Sequence, residues 1–105
     1  MRVATLENDD GSFEIYFIKL GGWDDLNLIV SMLIKENRCS IVEEKDMISD
    51  KDFVMKMGDL IFLLRHHYMM GNYLYTTNLA EVPVLERLAN NVINSIKAKL
   101  EELNQ

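Results

Sequence analysis

Apolar side chains at Leu85, Leu88, Ala89, Val92, Ile96, Leu100 and Leu103 recur at i, i+3, i+4 and i+7, which places them on one stripe of an α-helix. Upstream, Asn78 and Glu81 match a capping box and Pro83 suits a first helical turn, so the spacing predicts a helix over Val82–Leu103. A helix with a single apolar stripe gains most of its stability from tertiary packing, so it must bury that stripe against another element. What the first 80 residues can offer as that element decides the fold.

They offer mainly strands. Arg2 to Asn8 alternates with period two, Val3, Thr5 and Glu7 opposing Ala4, Leu6 and Asn8, and Asp9-Asp10-Gly11-Ser12 has the composition of a tight turn. Phe13 to Leu20 then returns as a second strand, with Phe13, Ile15, Phe17 and Lys19 on one side and Glu14, Tyr16, Ile18 and Leu20 on the other; the Phe-bearing face is expected to meet the core. Gly21-Gly22 interrupts the alternation. Asp24 and Asp25 supply an acidic cap and first turn, and Leu26, Ile29, Val30 and Leu33, flanked by Leu28 and Met32, predict a helix from Asp24 to Glu36 with Asn37 as its left-handed terminator.

Cys39 to Glu43 reads as a third strand, and the acidic stretch Glu43 to Asp52 as solvated loop. Asp50 to Met57 fits two states: Ser49 with Asp52 resembles a capping pair for a short helix, while Phe53, Met55 and Met57 alternate as in a strand. Leu60–His67 and Tyr73–Thr77 pair as a second hairpin about Tyr68 to Asn72, in competition with a helix over Asp59 to Met70. The expected fold is α+β: a mainly antiparallel sheet of about five strands, with one central helix and a long C-terminal helix packed on it, forming one domain over residues 1–105. In order of elements it is similar to the longin and roadblock group of folds.

No run approaches the roughly 18 apolar residues that a bilayer span requires. The first residues reach Glu7 before any apolar stretch of signal-peptide length, so a cytoplasmic location is expected. Cys39 stands alone, which leaves no internal disulfide and no thiolate metal site; a buried, unreactive side chain is expected there. The net charge of -6 is carried by one half: residues 1–59 hold 13 acidic and 7 basic side chains, while residues 60–105 hold 4 of each. Such a field repels phosphate backbones and favours a basic protein partner over nucleic acid.

Candidate chemistry is sparse. His66 and His67 are neighbours, and adjacent residues of a strand point to opposite faces, so they cannot chelate one ion; a structural role near the hairpin end is expected. Asp24-Asp25 and Glu43-Glu44 are likewise sequence neighbours that do not face each other as an acid/base pair would. No phosphate-binding loop, nucleophile elbow or metal-ligand motif occurs in the sequence, and neither a cofactor nor an enzymatic activity is expected. Met55, Met57, Met69 and Met70 lie near Tyr68, Tyr73 and Tyr75; they are expected mainly in the core, with Tyr68 to Tyr73 at a hairpin tip the part most easily exposed.

Small size, acidity and the lack of a catalytic set resemble the immunity proteins of bacterial contact-dependent inhibition and colicin-like systems. The resemblance implies a proteinaceous inhibitor of one cognate toxin, a basic nuclease being the natural case, bound by surface and charge complementarity. On that reading Asp9, Asp10, Asp24, Asp25, Glu43, Glu44, Asp46, Asp50 and Asp52 are the candidate partner-binding carboxylates, and Tyr68 and Tyr73 the candidate anchors. The competing expectation is a small scaffold or adaptor that forms a homodimer through the long C-terminal helix or an edge strand.

Overall fold

The structure is a computed structural model and describes residues 1–104. The elements run β1 (Arg2–Glu7), β2 (Phe13–Ile18), α1 (Trp23–Asn37), β3 (Ser40–Asp46), β4 (Asp50–Met57), β5 (Leu60–His67), β6 (Gly71–Thr76), a 3-10 turn (Leu79–Glu81) and α2 (Val82–Leu103). The fold is α+β. One antiparallel sheet has the order β1-β2-β6-β5-β4-β3.

Six strands stand where about five were expected, because Asp50–Met57 is a strand and most of the acidic stretch before it is paired rather than loop. The stretch pairs because its charges are matched across the hairpin. Lys51 Nζ lies 3.5 Å from Glu44 and 3.4 Å from Asp46, at the end of the same face of the strand from which Phe53 and Met55 turn into the core. Only residues 47–49 remain as a turn, closed by Met47 N donating to Asp50 O at 2.8 Å.

Ile15, Leu74, Leu64 and Phe53 are directly paired across four adjacent strands and line up as one buried row. Both helices cover that face. Leu26, Ile29, Met32 and Leu33 of α1 and Leu85, Leu88, Ala89, Val92, Ile93 and Ile96 of α2 join the row in a single cluster, to which Cys39 also belongs. The inward side of β2 is the expected one, Phe13, Ile15 and Phe17, although the strand ends at Ile18 because Lys19 takes a left-handed φ of 68°.

The helix boundaries differ in detail at α1. Gly22 is the N-cap, and Asp25 closes the turn by accepting from Gly22 N at 2.9 Å. The left-handed residue after the helix is Arg38, φ 58°, not Asn37, whose side chain instead donates to Met32 O at 3.0 Å. The C-terminal helix has the expected span, and Asn78 caps the 3-10 turn before it by accepting from Ala80 N. No helix among the described residues is long and apolar enough to cross a membrane.

The other face of the sheet carries no helix. At its centre Arg65 Nε and Nη2 donate to Asp52 Oδ1 and Oδ2 at 2.7 and 2.9 Å, and the guanidinium lies 5.9 Å from the Tyr75 ring. Tyr73 packs on Tyr16 with ring centroids 4.8 Å apart.

Candidate functional site

The register brings three turns to one end of the sheet. Asp50 pairs with His67 and Lys51 with His66; these in turn face Gly71 and Asn72, so the β3–β4 turn and the β5–β6 turn emerge side by side. Tyr68 N donates to Ser49 O at 3.2 Å and ties the two turns together. The chain leaving β2 reaches the same place: Gly21 and Gly71 pass so closely that a Cβ on Gly71 would lie 3.2 Å from Gly21 Cα, tighter than ordinary van der Waals contact.

Asn72, fully buried, fixes this end from within. Its Nδ2 donates to Leu20 O at 2.7 Å and to Gly22 O at 3.1 Å, so its Oδ1 faces His66 Nδ1 at 2.8 Å. With Oδ1 an acceptor, His66 Nδ1 is the donor of this bond. Trp23, the first residue of α1, stands edge-on to the His66 ring with centroids 5.2 Å apart. On the opposite face of the strand His67 Nδ1 accepts from Met69 N and Met70 N, both at 3.1 Å, which directs its Nε2 proton toward Asp50 Oδ1, 3.6 Å away.

The surface built this way is apolar where turns are ordinarily polar. Trp23, Met47, Ile48, Tyr68, Met69 and Met70 are all exposed, Trp23 by 53% and Ile48 completely. Between them opens a cleft of about 190 Å³ lined by Trp23, Asp46, Met47, Ile48, Ser49, Asp50, Lys51, His66 and Tyr68. Asp24 and Asp25 follow Trp23 in the first turn of α1. Lys51 lies within reach of the Trp23 and Phe53 rings, at 5.8 and 5.2 Å, and is held between Glu44 and Asp46.

The expected site residues separate into groups. Asp24, Asp25, Asp46, Asp50 and Tyr68 meet at this end, Glu44 reaches it through Lys51, and Glu43 lies along the exposed edge strand paired with Lys45 at 3.9 Å. Asp9 and Asp10 do not join them; they sit in the β1–β2 turn at the opposite end of the sheet, beyond the Phe13–Thr76 pair. Asp52 and Tyr73 are each only 4% exposed, and this corrects their assignment as partner contacts. Asp52 is committed to Arg65, and the tip of the second hairpin is residues 68–70, so Tyr73 lies inside β6 rather than in the turn. The sulfur-rich set divides as well: Met55 is core, while Met69 and Met70 are surface.

Trp23, Met47, Ile48 and Asn72 are the contributors that sequence reasoning passed over. Met47-Ile48 between charged residues, and Trp23 between Gly-Gly and Asp-Asp, were readable as apolar side chains placed in turns. Chemistry of the covalent kind has little to work with here. Burial pushes the Cys39 thiol up to about 11, which keeps it protonated and inert. His66 and His67 point to opposite faces, and among the described residues no three His, Cys, Asp or Glu side chains are grouped to hold a metal ion. No protein-family model, curated protein or solved structure matches this chain.

Proposed function

We propose that the chain is a proteinaceous inhibitor of the immunity type, which binds a basic toxin through the three-turn end and acts by occlusion rather than by catalysis. The observation that carries this reading is the convergence of six exposed large apolar side chains from two turns and the start of α1, with Asp24, Asp25 and Asp46 at the same end. Aromatic and Met side chains inside a charged margin are the composition of interface cores, the apolar part giving affinity and the charges orienting a partner of opposite sign. The rigid frame beneath, Asn72 with the Gly21–Gly71 contact, presents the turns without a further ordering cost.

The test is capture of a partner from the source cell's lysate, followed by reconstitution. The expected result is a basic protein held 1:1, its toxic activity silenced at equimolar ratio. A Trp23→Ala/Met69→Ser variant, folded as judged by its unchanged melting curve, is expected to bind on the order of 100-fold more weakly. A partner retained equally by this variant, or a chain recovered only as its own dimer, would sink the proposal; the second result would favour the scaffold.

A further inference from the structure

The register fixes which side chains point away from the helices. One row across the sheet is Leu6, Glu14, Tyr75, Leu63, Val54 and Glu43; the next, toward the three-turn end, is Ala4, Tyr16, Tyr73, Arg65, Asp52 and Lys45. An antiparallel sheet with a solvated face ordinarily turns polar residues outward. On this one Leu6 and Ile61 are 47% and 57% exposed, and Tyr16, Ile18, Val54, Leu63 and Tyr75 are half-buried. A groove of about 450 Å³ opens over Val54, Ile61, Leu63 and Tyr75. We infer that this face seats a second copy of the chain, sheet against sheet, in a two-fold dimer layered α/β/β/α.

Charge selects the occupant. The chain carries a net charge of -6, yet this face holds four basic side chains, Arg2, Lys45, Lys56 and Arg65, and four acidic ones, Glu14, Glu43, Asp50 and Asp52. The negative excess lies on the other surfaces, so a basic partner is drawn elsewhere and a second copy meets no net repulsion here. Arg65 and Asp52 are already spent on each other in a bidentate pair. Six strands about 4.8 Å apart and roughly 20 Å long present on the order of 600 Å² of flat area, which side-chain relief brings close to the roughly 800 Å² per partner of a standard interface. The order β1-β2-β6-β5-β4-β3 has its midline between β6 and β5. A two-fold axis along that seam exchanges β6 with β5 and β2 with β4, so Tyr75 packs on Leu63 of the second copy and Lys56 reaches its Glu14. Within one chain β2 and β4 are three strand spacings apart, about 14 Å, so that ion pair forms only in the dimer. Both three-turn ends stay uncovered, on the same side of the assembly.

Sedimentation equilibrium of the isolated chain, from about 1 to about 300 µM, is expected to show a monomer–dimer equilibrium with a Kd on the order of 10 µM. Ile61→Glu and Leu6→Glu, both at exposed positions, should each raise that Kd at least about 30-fold, with circular dichroism and the melting curve at monomeric concentration unchanged. Glu14→Lys and Lys56→Glu should each weaken the dimer about tenfold, and the double variant should recover to within about threefold of the parent. A chain that stays monomeric over the whole range overturns the inference. So does a dimer that Ile61→Glu and Leu6→Glu leave intact, which would place the contact at an edge strand or at α2, and so does a double variant no better than either single one. The dimer does not rest on the inhibitor reading, and the two fail separately: Ile61→Glu should still hold a basic partner, and Trp23→Ala/Met69→Ser should still dimerise.

Discussion

At the end of the sheet where β1 turns into β2, Asn8 Nδ2 donates to Ser12 Oγ at 3.0 Å and Asp10 accepts from the amide and hydroxyl of Ser12 at 2.9 and 2.6 Å. At the other end the turns project Ile48, Tyr68, Met69 and Met70 into solvent instead. The β1–β2 and β4–β5 turns of the first end use Gly11 and Gly58, at φ 84° and 60° with open space around them, where glycine serves the backbone alone. Gly71 at the second end also has positive φ, 96°, but is pressed against Gly21 and so serves packing too. The β1–β2 turn is finished for folding, its polar groups satisfying one another locally. The other end of the sheet is tightly built below and left apolar above, which is unfavourable for an isolated chain in water and useful to one with a partner.

The sharpest way to break this comparison is to wedge the contact under the apolar turns. Gly71→Ala meets two penalties, the positive φ and a Cβ 3.2 Å from Gly21 Cα, and should lose about 3 kcal/mol in urea denaturation. Gly21→Ala, which has an ordinary φ and a contact of 3.3 Å, should lose less than half as much. Equal and small losses would mean that the two strand ends are free to separate, and that the three turns are not held on a common frame.

How much of this could be read from the sequence follows from the range of the interactions concerned. The α2 span, the Asp-Gly hairpin and the inward side of β2 depend on local periodicity, and these were legible. Asp50–Met57 was undecided because it is amphipathic under both periods; what selects the strand is β5 on one side and β3 on the other, contacts no local window contains. Arg38 replaced Asn37 as the helix terminator by one position, a shift set by where Cys39 must enter the core. For the site, charge alone could not say that Asp9 and Asp46 lie at opposite ends, nor that Asp52 is consumed by Arg65. Tyr68, at a turn, was readable; Tyr73 was misjudged because its burial comes from Tyr16, 57 positions away in sequence.

A smaller effect belongs to the polar end and distinguishes the two through pH. The hydrogen bonds from Ser12, side chain first and backbone second, hold the Asp10 carboxyl below its ordinary value of 3.8. A carboxyl depressed in the folded state stabilises it above the unfolded pKa, and that contribution disappears as pH falls through the folded one. Asp10→Asn should therefore be slightly less stable than the parent at neutral pH and converge with it as pH falls through the folded-state pKa of Asp10. Among the described residues the apolar end contains no such local pairing of a turn carboxylate with its own turn hydroxyl.

The least effect of all is the most telling for function. Ile48→Ser and Met69→Ser remove side chains that water already surrounds, so they forfeit almost no buried area, and each should change unfolding free energy by no more than about 0.5 kcal/mol. If either instead lost about 2 kcal/mol, the turns would be packing against one another in solution and the exposed apolar surface would be a structural feature of the monomer. Unchanged stability means that the fold has no use for these residues. A sequence that nevertheless places isoleucine and methionine in turns, where serine or asparagine would serve the backbone better, then has its reason outside the monomer, in whatever covers that end.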